Sequence, residues 1–167
     1  MIRLLEPGDA KQYYELRLEA LKENPEAFAQ SYEEIIQNKL VVEQYEEKFR
    51  LGASYNFGAF KDGKLVGMVT LSPESKTKLK HKANIFAMYV TPNERGKGIA
   101  EALLEKAIQQ ARNMGGIKKI NLTVVSINLG AKALYKKYGF KTFGIEEKAL
   151  LIKNVYYDEE YMSLFLK

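Results

Sequence analysis

The run Arg95-Gly96-Lys97-Gly98-Ile99-Ala100 has the residue types that hold an anion through the main chain. Gly96 and Gly98 carry no Cβ, so the backbone can turn tightly there and approach a bound group closely. Before the run, the apolar segment from Asn84 to Thr91 reads as a strand that stops at Pro92; after it, Ile99, Leu103, Leu104, Ala107, Ile108 and Ala111 recur at helical spacing until Gly115-Gly116. A helix that starts beside such a loop aims its unpaired N-terminal amides and the positive end of its dipole at whatever the loop holds. The chemistry this suits is phosphate binding.

Two familiar phosphate loops do not fit. The spacing G-x-x-x-x-G-K-[ST] fails because Gly96-Lys97 is followed by Gly98 and preceded, five residues back, by Thr91; G-x-G-x-x-G fails because its third glycine position is Glu101. What remains is [QR]-x-x-G-x-[GA], met at Arg95, Gly98 and Ala100. A second constellation lies downstream. Asn128 is a good helix N-cap, and Tyr135, seven residues on, shares its helical face with Ala131 between them.

The elements that must position these residues follow from period and turn chemistry. Ile2–Leu5 is a short first strand before Pro7-Gly8. Asp9 with Gln12 reads as a helix N-cap and its reciprocal partner, and Tyr13, Leu16, Ala20 and Leu21 form the apolar face that follows. Asn24-Pro25 should close that helix and open a second with Ala27, Phe28, Tyr32 and Ile35 on one face; Val41 to Arg50 reads as a third, more polar helix. The period then falls to two: Ser54–Phe60 and Leu65–Leu71 pair through Asp62-Gly63, a tight-turn signal. Ser72–Lys82 is a lysine-rich loop whose His81 receives no role. Lys119–Ile127 is a strand, the helix from Asn128 ends near Gly139, and Phe140–Ile145 and Tyr157–Leu166 are the last strands.

Composition narrows the classes. A chain of 167 residues has room for one domain with a full core. It has no cysteine, which excludes disulfides, thiolate metal sites and a cysteine nucleophile. No apolar run approaches the length of a membrane span, and a cytoplasmic protein is expected. The net charge of +5 comes from 26 basic residues interspersed with 21 acidic ones, so a polyanionic cofactor accounts for it as well as a nucleic acid does. The acidic early helices, with Glu26, Glu33, Glu34, Glu43, Glu46 and Glu47, read first as solvated faces.

Together, the Arg95–Ala100 loop and the segment Asn128-Leu-Gly-Ala-Lys-Ala-Leu-Tyr-Lys-Lys-Tyr-Gly-Phe140, similar to N-x-x-A-x-x-[LF]-Y-x-x-x-G-F, resemble the GNAT superfamily of acyl-CoA-dependent N-acetyltransferases. The resemblance extends over almost the whole chain and implies a single N-acetyltransferase domain over residues 1–167. The fold it implies is α/β (α+β): a mixed central sheet of about six to seven strands flanked by helices and splayed in the middle to receive acetyl-CoA. In such proteins the pantetheine arm enters between the strands matching Phe86–Val90 and Lys119–Ile127. The cofactor side would then comprise Met88, Tyr89 and Val90 on the first strand. Arg95, Gly96, Lys97, Gly98, Ile99 and Ala100 would lie around the pyrophosphate, with Asn128 and Ala131 along the pantetheine. Tyr135 would face the thioester sulfur. Ala100 stands where glycine is commoner in the family.

The chemistry implied is attack of a neutral primary amine on the acetyl carbonyl, with a backbone amide of the central strand stabilising the oxyanion and Tyr135 protonating the departing thiolate. The base is left open between a carboxylate among Glu33, Glu34, Asp158 and Glu159, in segments that line acceptor sites in the family, and a chain of waters. No metal, nucleic acid or membrane is called for, and either a monomer or a homodimer would serve. Two other readings stand beside this one. A non-catalytic CoA-binding module would keep the loop without needing Tyr135. A nucleic-acid-binding domain would use Tyr135 to Tyr138 with Lys132, Lys136 and Lys137.

Overall fold

The computed structural model describes residues 1–167. Seven segments of strand-forming residues pair into one sheet: β1 (Ile2–Leu4), β2 (Tyr55–Lys61), β3 (Lys64–Pro73), β4 (Lys82–Val90), β5 (Lys119–Val125), β6 (Lys141–Ile152) and β7 (Val155–Phe165). Their order is β1-β2-β3-β4-β5-β7-β6, and every neighbouring pair is antiparallel except β4 and β5. The parallel pair needs a crossover, which α4 (Ile99–Asn113) supplies. The remaining helices are α1 (Ala10–Glu23), α2 (Tyr32–Gln37), α3 (Val41–Leu51) and α5 (Leu129–Lys137).

Two apolar clusters clothe the sheet. The larger joins Leu103, Leu104, Ala107, Ile108 and Ala111 of α4 to Val69, Leu71 and Ile85 of the sheet and to Tyr135 and Phe140 beyond β5. The smaller places Tyr13, Leu16 and Ala20 of α1 against Phe60, Leu65, Met68 and Tyr89, with Tyr45 and Phe49 of α3 edge-on to Tyr13 at 4.8 and 5.2 Å between ring centroids. Because side chains alternate across a strand, neighbours in β3 such as Met68 and Val69 serve opposite cores.

One irregularity shapes the middle of the sheet. β4 and β5 pair only where Lys82–Asn84 faces Lys119–Asn121, although both strands continue for several residues. Beyond that point the sheet opens. On the other side of β4 the register with β3 shifts between Met68 and Thr70, and Ala87 sits at φ 54°, a left-handed conformation for a residue with a Cβ. Such a bulge bends and twists its strand, here near where β4 leaves β5.

Several local expectations are corrected. Asp9 does not cap α1; its carboxylate is taken by Arg3 at 2.7 Å and by the Glu6 amide, and this holds its pKa below the usual carboxylate range. Gln12 instead braces the first hairpin, accepting from the Leu65 amide at 2.8 Å. Pro25 opens only a single 3-10 turn, Pro25–Ala27. The helix begins later, at Tyr32, where Ser31 accepts from the Glu34 amide. β6 runs on to Ile152 and turns through Lys153 and Asn154, both at positive φ, so that β7 starts at Val155. The Asp62-Gly63 turn, with φ 50° and 77°, forms as its residues predict.

Candidate functional site

At the C-terminal end of β4 the chain makes a 3-10 turn at Pro92–Glu94 and enters the loop before α4. Gly96 and Gly98 have φ of 75° and 81°, which glycine adopts without steric cost, and nothing lies within 4 Å of where a Cβ on either would project. The loop is thus an open cradle of main-chain amides at the N-terminus of a fifteen-residue helix. Its cations face elsewhere. Arg95 donates to the Val90 carbonyl and to Asn24, and its guanidinium lies 5.3 Å from the centre of the Tyr89 ring. The Lys97 ammonium bonds Glu94 and the Asn93 carbonyl, each at 3.0 Å. Backbone, not side-chain charge, is what the cradle presents.

A cavity of about 760 Å³ runs from this loop along α5, with Met88, Tyr89, Val90, Ile99, Ala100, Asn128 and Ala131 in its walls. It adjoins a second cavity of about 450 Å³ in the opening between β4 and β5, and the two share Met88, Asn128, Ala131 and Tyr135. The result is a trench from an anion cradle to the splayed strands. Asn121 sits in the second cavity with a buried Oδ1 that has no hydrogen-bond partner. A buried acceptor left unpaired is open to a polar partner. Asn128 caps α5, its Oδ1 accepting from the Ala131 amide at 3.1 Å, which orients the helix that carries Tyr135.

Tyr135 is buried at the meeting of the two cavities, its ring packed at 62° to Phe140 with centroids 5.9 Å apart. Burial pushes its phenol up to about 12, so it is protonated at neutral pH and available as a donor. Among the predicted acidic residues, only Glu159 reaches the same cavity. Burial, and then the charge of Glu146, raises its pKa above the ordinary glutamate range. Glu33 and Glu34 line a separate cavity of about 740 Å³ between the α1–α2 segment and the β6–β7 hairpin. Asp158 lies on the exposed side of β7, where its Oδ1 accepts from the Lys148 amide at 2.8 Å.

Two residues that sequence reasoning passed over join the site. Glu26, counted among solvated acids, lines both halves of the trench because the 3-10 turn after α1 lies over it. Asn121 lies in a strand whose alternation gave no hint of a role. Pro25 was the available signal for Glu26: it breaks α1 and throws the next residues across the sheet.

The family profile described as the acetyltransferase (GNAT) family matches residues 13–140. The chain is 33% identical over 102 residues to the L-amino acid N-acetyltransferase AaaT of Escherichia coli (strain K12), an alignment that covers 61% of this chain and 62% of that protein. Among solved structures, the acetyltransferase of the GNAT family from Streptococcus pneumoniae superposes with a TM-score of 0.88 at 24% identity, covering 99% of both chains. The structure of yncA from Salmonella typhimurium, solved with its cofactor acetyl-CoA, superposes with a TM-score of 0.81 at 20% identity, covering 100% of this chain and 94% of that one.

Proposed function

The chain belongs to the acetyltransferase (GNAT) family, and from that premise we propose that it acts as a single domain over residues 1–167 to move an acetyl group from acetyl-CoA to a primary amine. The observation that carries this reading is the opening between β4 and β5, bounded at one end by an amide cradle and at the other by a buried phenol. A diphosphate joined to a narrow amide-bearing arm matches that shape and polarity.

Bound acetyl-CoA supplies the acyl group as a thioester. The amides of the Arg95–Ala100 loop hold the diphosphate, and Gly98 keeps the approach clear. Main-chain groups of Met88 and the Val90 amide, on the side of β4 that β5 has left, pair with the arm, while the Val90 carbonyl keeps its bond from Arg95; the unpaired Asn121 Oδ1 is within the opening. An amide of β4 pointing into the opening stabilises the carbonyl oxygen as charge builds on it.

Tyr135 donates its proton to the sulfur as the thioester breaks. Burial raises the phenol, and the same water-poor surroundings raise the basicity of a thiolate formed beside it, so donor and acceptor stay matched. The incoming ammonium must first lose a proton. Glu159, on the far wall of the cavity and raised above the ordinary glutamate range, is the carboxylate best placed to take it. Glu26 adds negative charge at the same opening.

The E. coli relative acts, by its name, on L-amino acids, which adds free amino acids to the amines to be tried. The test is to follow thiol release from acetyl-CoA against polyamines, amino sugars, amino acids and peptide amines. Amine-dependent release is expected. Release with an alcohol or a carboxylate and with none of the amines would show that the acceptor class is wrong.

A further inference from the structure

The face of the sheet that lines the opening continues past it. Lys119, Asn121 and Thr123 lie on one side of β5, and their partners on β7 are Phe165, Ser163 and Tyr161. Asn121, Thr123 and Tyr161, with Phe143 of β6, line the opening beside Glu159. From there the contacts run on toward the start of β5. The Phe143 ring lies 6.1 Å from that of Tyr161, and the Lys119 ammonium lies 5.0 Å from the centre of Phe143 and 5.5 Å from that of Phe165. Phe143 and Phe165 are 58% and 71% exposed, so the fold leaves two large rings uncovered in one strip.

The strip ends among cations. Lys76, Lys78 and Lys80 are exposed on the turn over residues 74–81, Lys82 opens β4 beside Lys119, and Lys118 precedes it. The amides of Lys118 and Lys119 donate to the His81 carbonyl at 2.7 and 3.2 Å, which holds the two segments together. Lys141, at the start of β6, and Lys167, just past β7, lie at the same end of the sheet. None of these eight is in an ion pair. Without them the chain has eighteen cations against 21 acidic side chains, so the positive charge of the protein is concentrated here.

Glu26 and Glu159 give the opening the opposite sign, and its distance from the cations sizes the guest. Six residues of β5 separate Val125, opposite Glu159, from Lys119, which is roughly 20 Å at about 3.3 Å per residue. A free amino acid or an amino sugar is too short to touch both ends. A polyamine is repelled at the cationic end and a nucleic acid at the acidic one. An extended polypeptide rises as the strand does, can lay side chains on the two rings, and carries charges of both signs. We propose that this strip docks a polypeptide acceptor, its terminal amine at Glu159 and its acidic residues, about six to eight positions on, against Lys119, Lys82 and the lysine-rich turn. This rests on the acetyl-transfer reading for the amine end alone.

Fluorescence anisotropy with short peptides, labelled at the C-terminus, tests the strip without turnover. The first has a free N-terminal alanine, a glycine–serine spacer and three glutamates from the seventh residue on; the second has glutamines there; the third has its glutamates directly after the alanine. The first should bind about tenfold more tightly than the second, as a few exposed charge pairs imply, and lose that advantage between about 50 and 500 mM salt. It should also bind more tightly than the third, whose glutamates meet Glu26 and Glu159. Lys119→Glu should bring the first two peptides to equal affinity. Lys76→Glu with Lys78→Glu, on the exposed turn, should narrow the gap, which guards against a merely unfolded Lys119→Glu. Equal binding of the first two peptides to the wild type, binding of the third as tight as the first, or tighter binding of a single-stranded oligonucleotide of the same length would overturn the proposal. If neither amines nor peptides elicit thiol release but the first peptide is still preferred and Lys119→Glu abolishes the preference, acetyl transfer fails and the docking strip stands.

Discussion

The two ends of the trench are lined by different kinds of group. At the donor end the groups offered are main-chain amides from β4, the Arg95–Ala100 loop and the first turn of α4, with Arg95 and Lys97 turned to internal partners. At the other end the polar groups that line the opening include the side chains Glu26 and Glu159, from segments more than a hundred residues apart in the chain. A main-chain site tolerates many sequences as long as the conformation is kept, whereas a side-chain site changes partner when one residue changes. The first therefore shows in a motif, and the second shows only when the chain is folded.

The sharpest way to break the donor end is to change conformation rather than charge. Gly98→Val puts a branched side chain at φ 81° and projects it into the cradle. Acetyl-CoA affinity by calorimetry should fall about a hundredfold or more, with the strain of a branched residue at this positive φ confined to the loop, since nothing surrounds the new Cβ. Lys97→Ala, which removes a charge already paired with Glu94, should by contrast change affinity by no more than about threefold.

Where the two ends meet, Tyr135→Phe removes a hydroxyl and keeps the ring on Phe140. Its kcat should drop about a hundredfold, with a smaller change in cofactor affinity. Turnover at the wild-type rate would reduce Tyr135 to packing.

On the acceptor end, Glu159→Gln probes a charge that the fold disfavours. Its carboxyl titrates above the ordinary range, so its ionised form is penalised in the folded state; the penalty is fully present above the folded pKa and is relieved as pH falls below the unfolded one. Glu159→Gln should therefore raise the melting temperature at pH 7 and leave it nearly unchanged near pH 3.5, below the ordinary carboxylate range. If Glu159 is the base, the variant should also lose about tenfold or more in kcat/KM, together with the acid limb of the pH profile. Asp158→Asn should do least, altering turnover by less than about threefold, because its carboxylate is occupied with the Lys148 amide on the exposed edge.

What was legible in the sequence follows the same division. The Arg95–Ala100 loop, the apolar face of α4, the Asn128 cap and the Asp62-Gly63 turn each depend on neighbours within a few residues, and each forms as those neighbours predict. The second hairpin turn was hidden because Lys153-Asn154 adopts positive φ without the glycine that usually marks it. Asp9 leaves the helix cap because Arg3, from β1, competes for its carboxylate, and pairing across elements leaves no local signature. Glu26 looks like any exposed helical charge until the break at Pro25 carries it over the opening. The opening between β4 and β5, implied by family resemblance, has its structural correlate at Ala87, whose positive φ no residue type announces.

Amide hydrogen exchange with and without acetyl-CoA tests the central claim most directly, because it reports where the donor lies whatever the acceptor is. Slowed exchange should be confined to Ala87–Val90 of β4, the facing part of β5 from Leu122 to Val125, the Arg95–Ala100 loop and the first turn of α5. Protection that instead falls in the α1–α2 segment and the β6–β7 hairpin, with Met88, Val90 and the loop unchanged, would contradict the account.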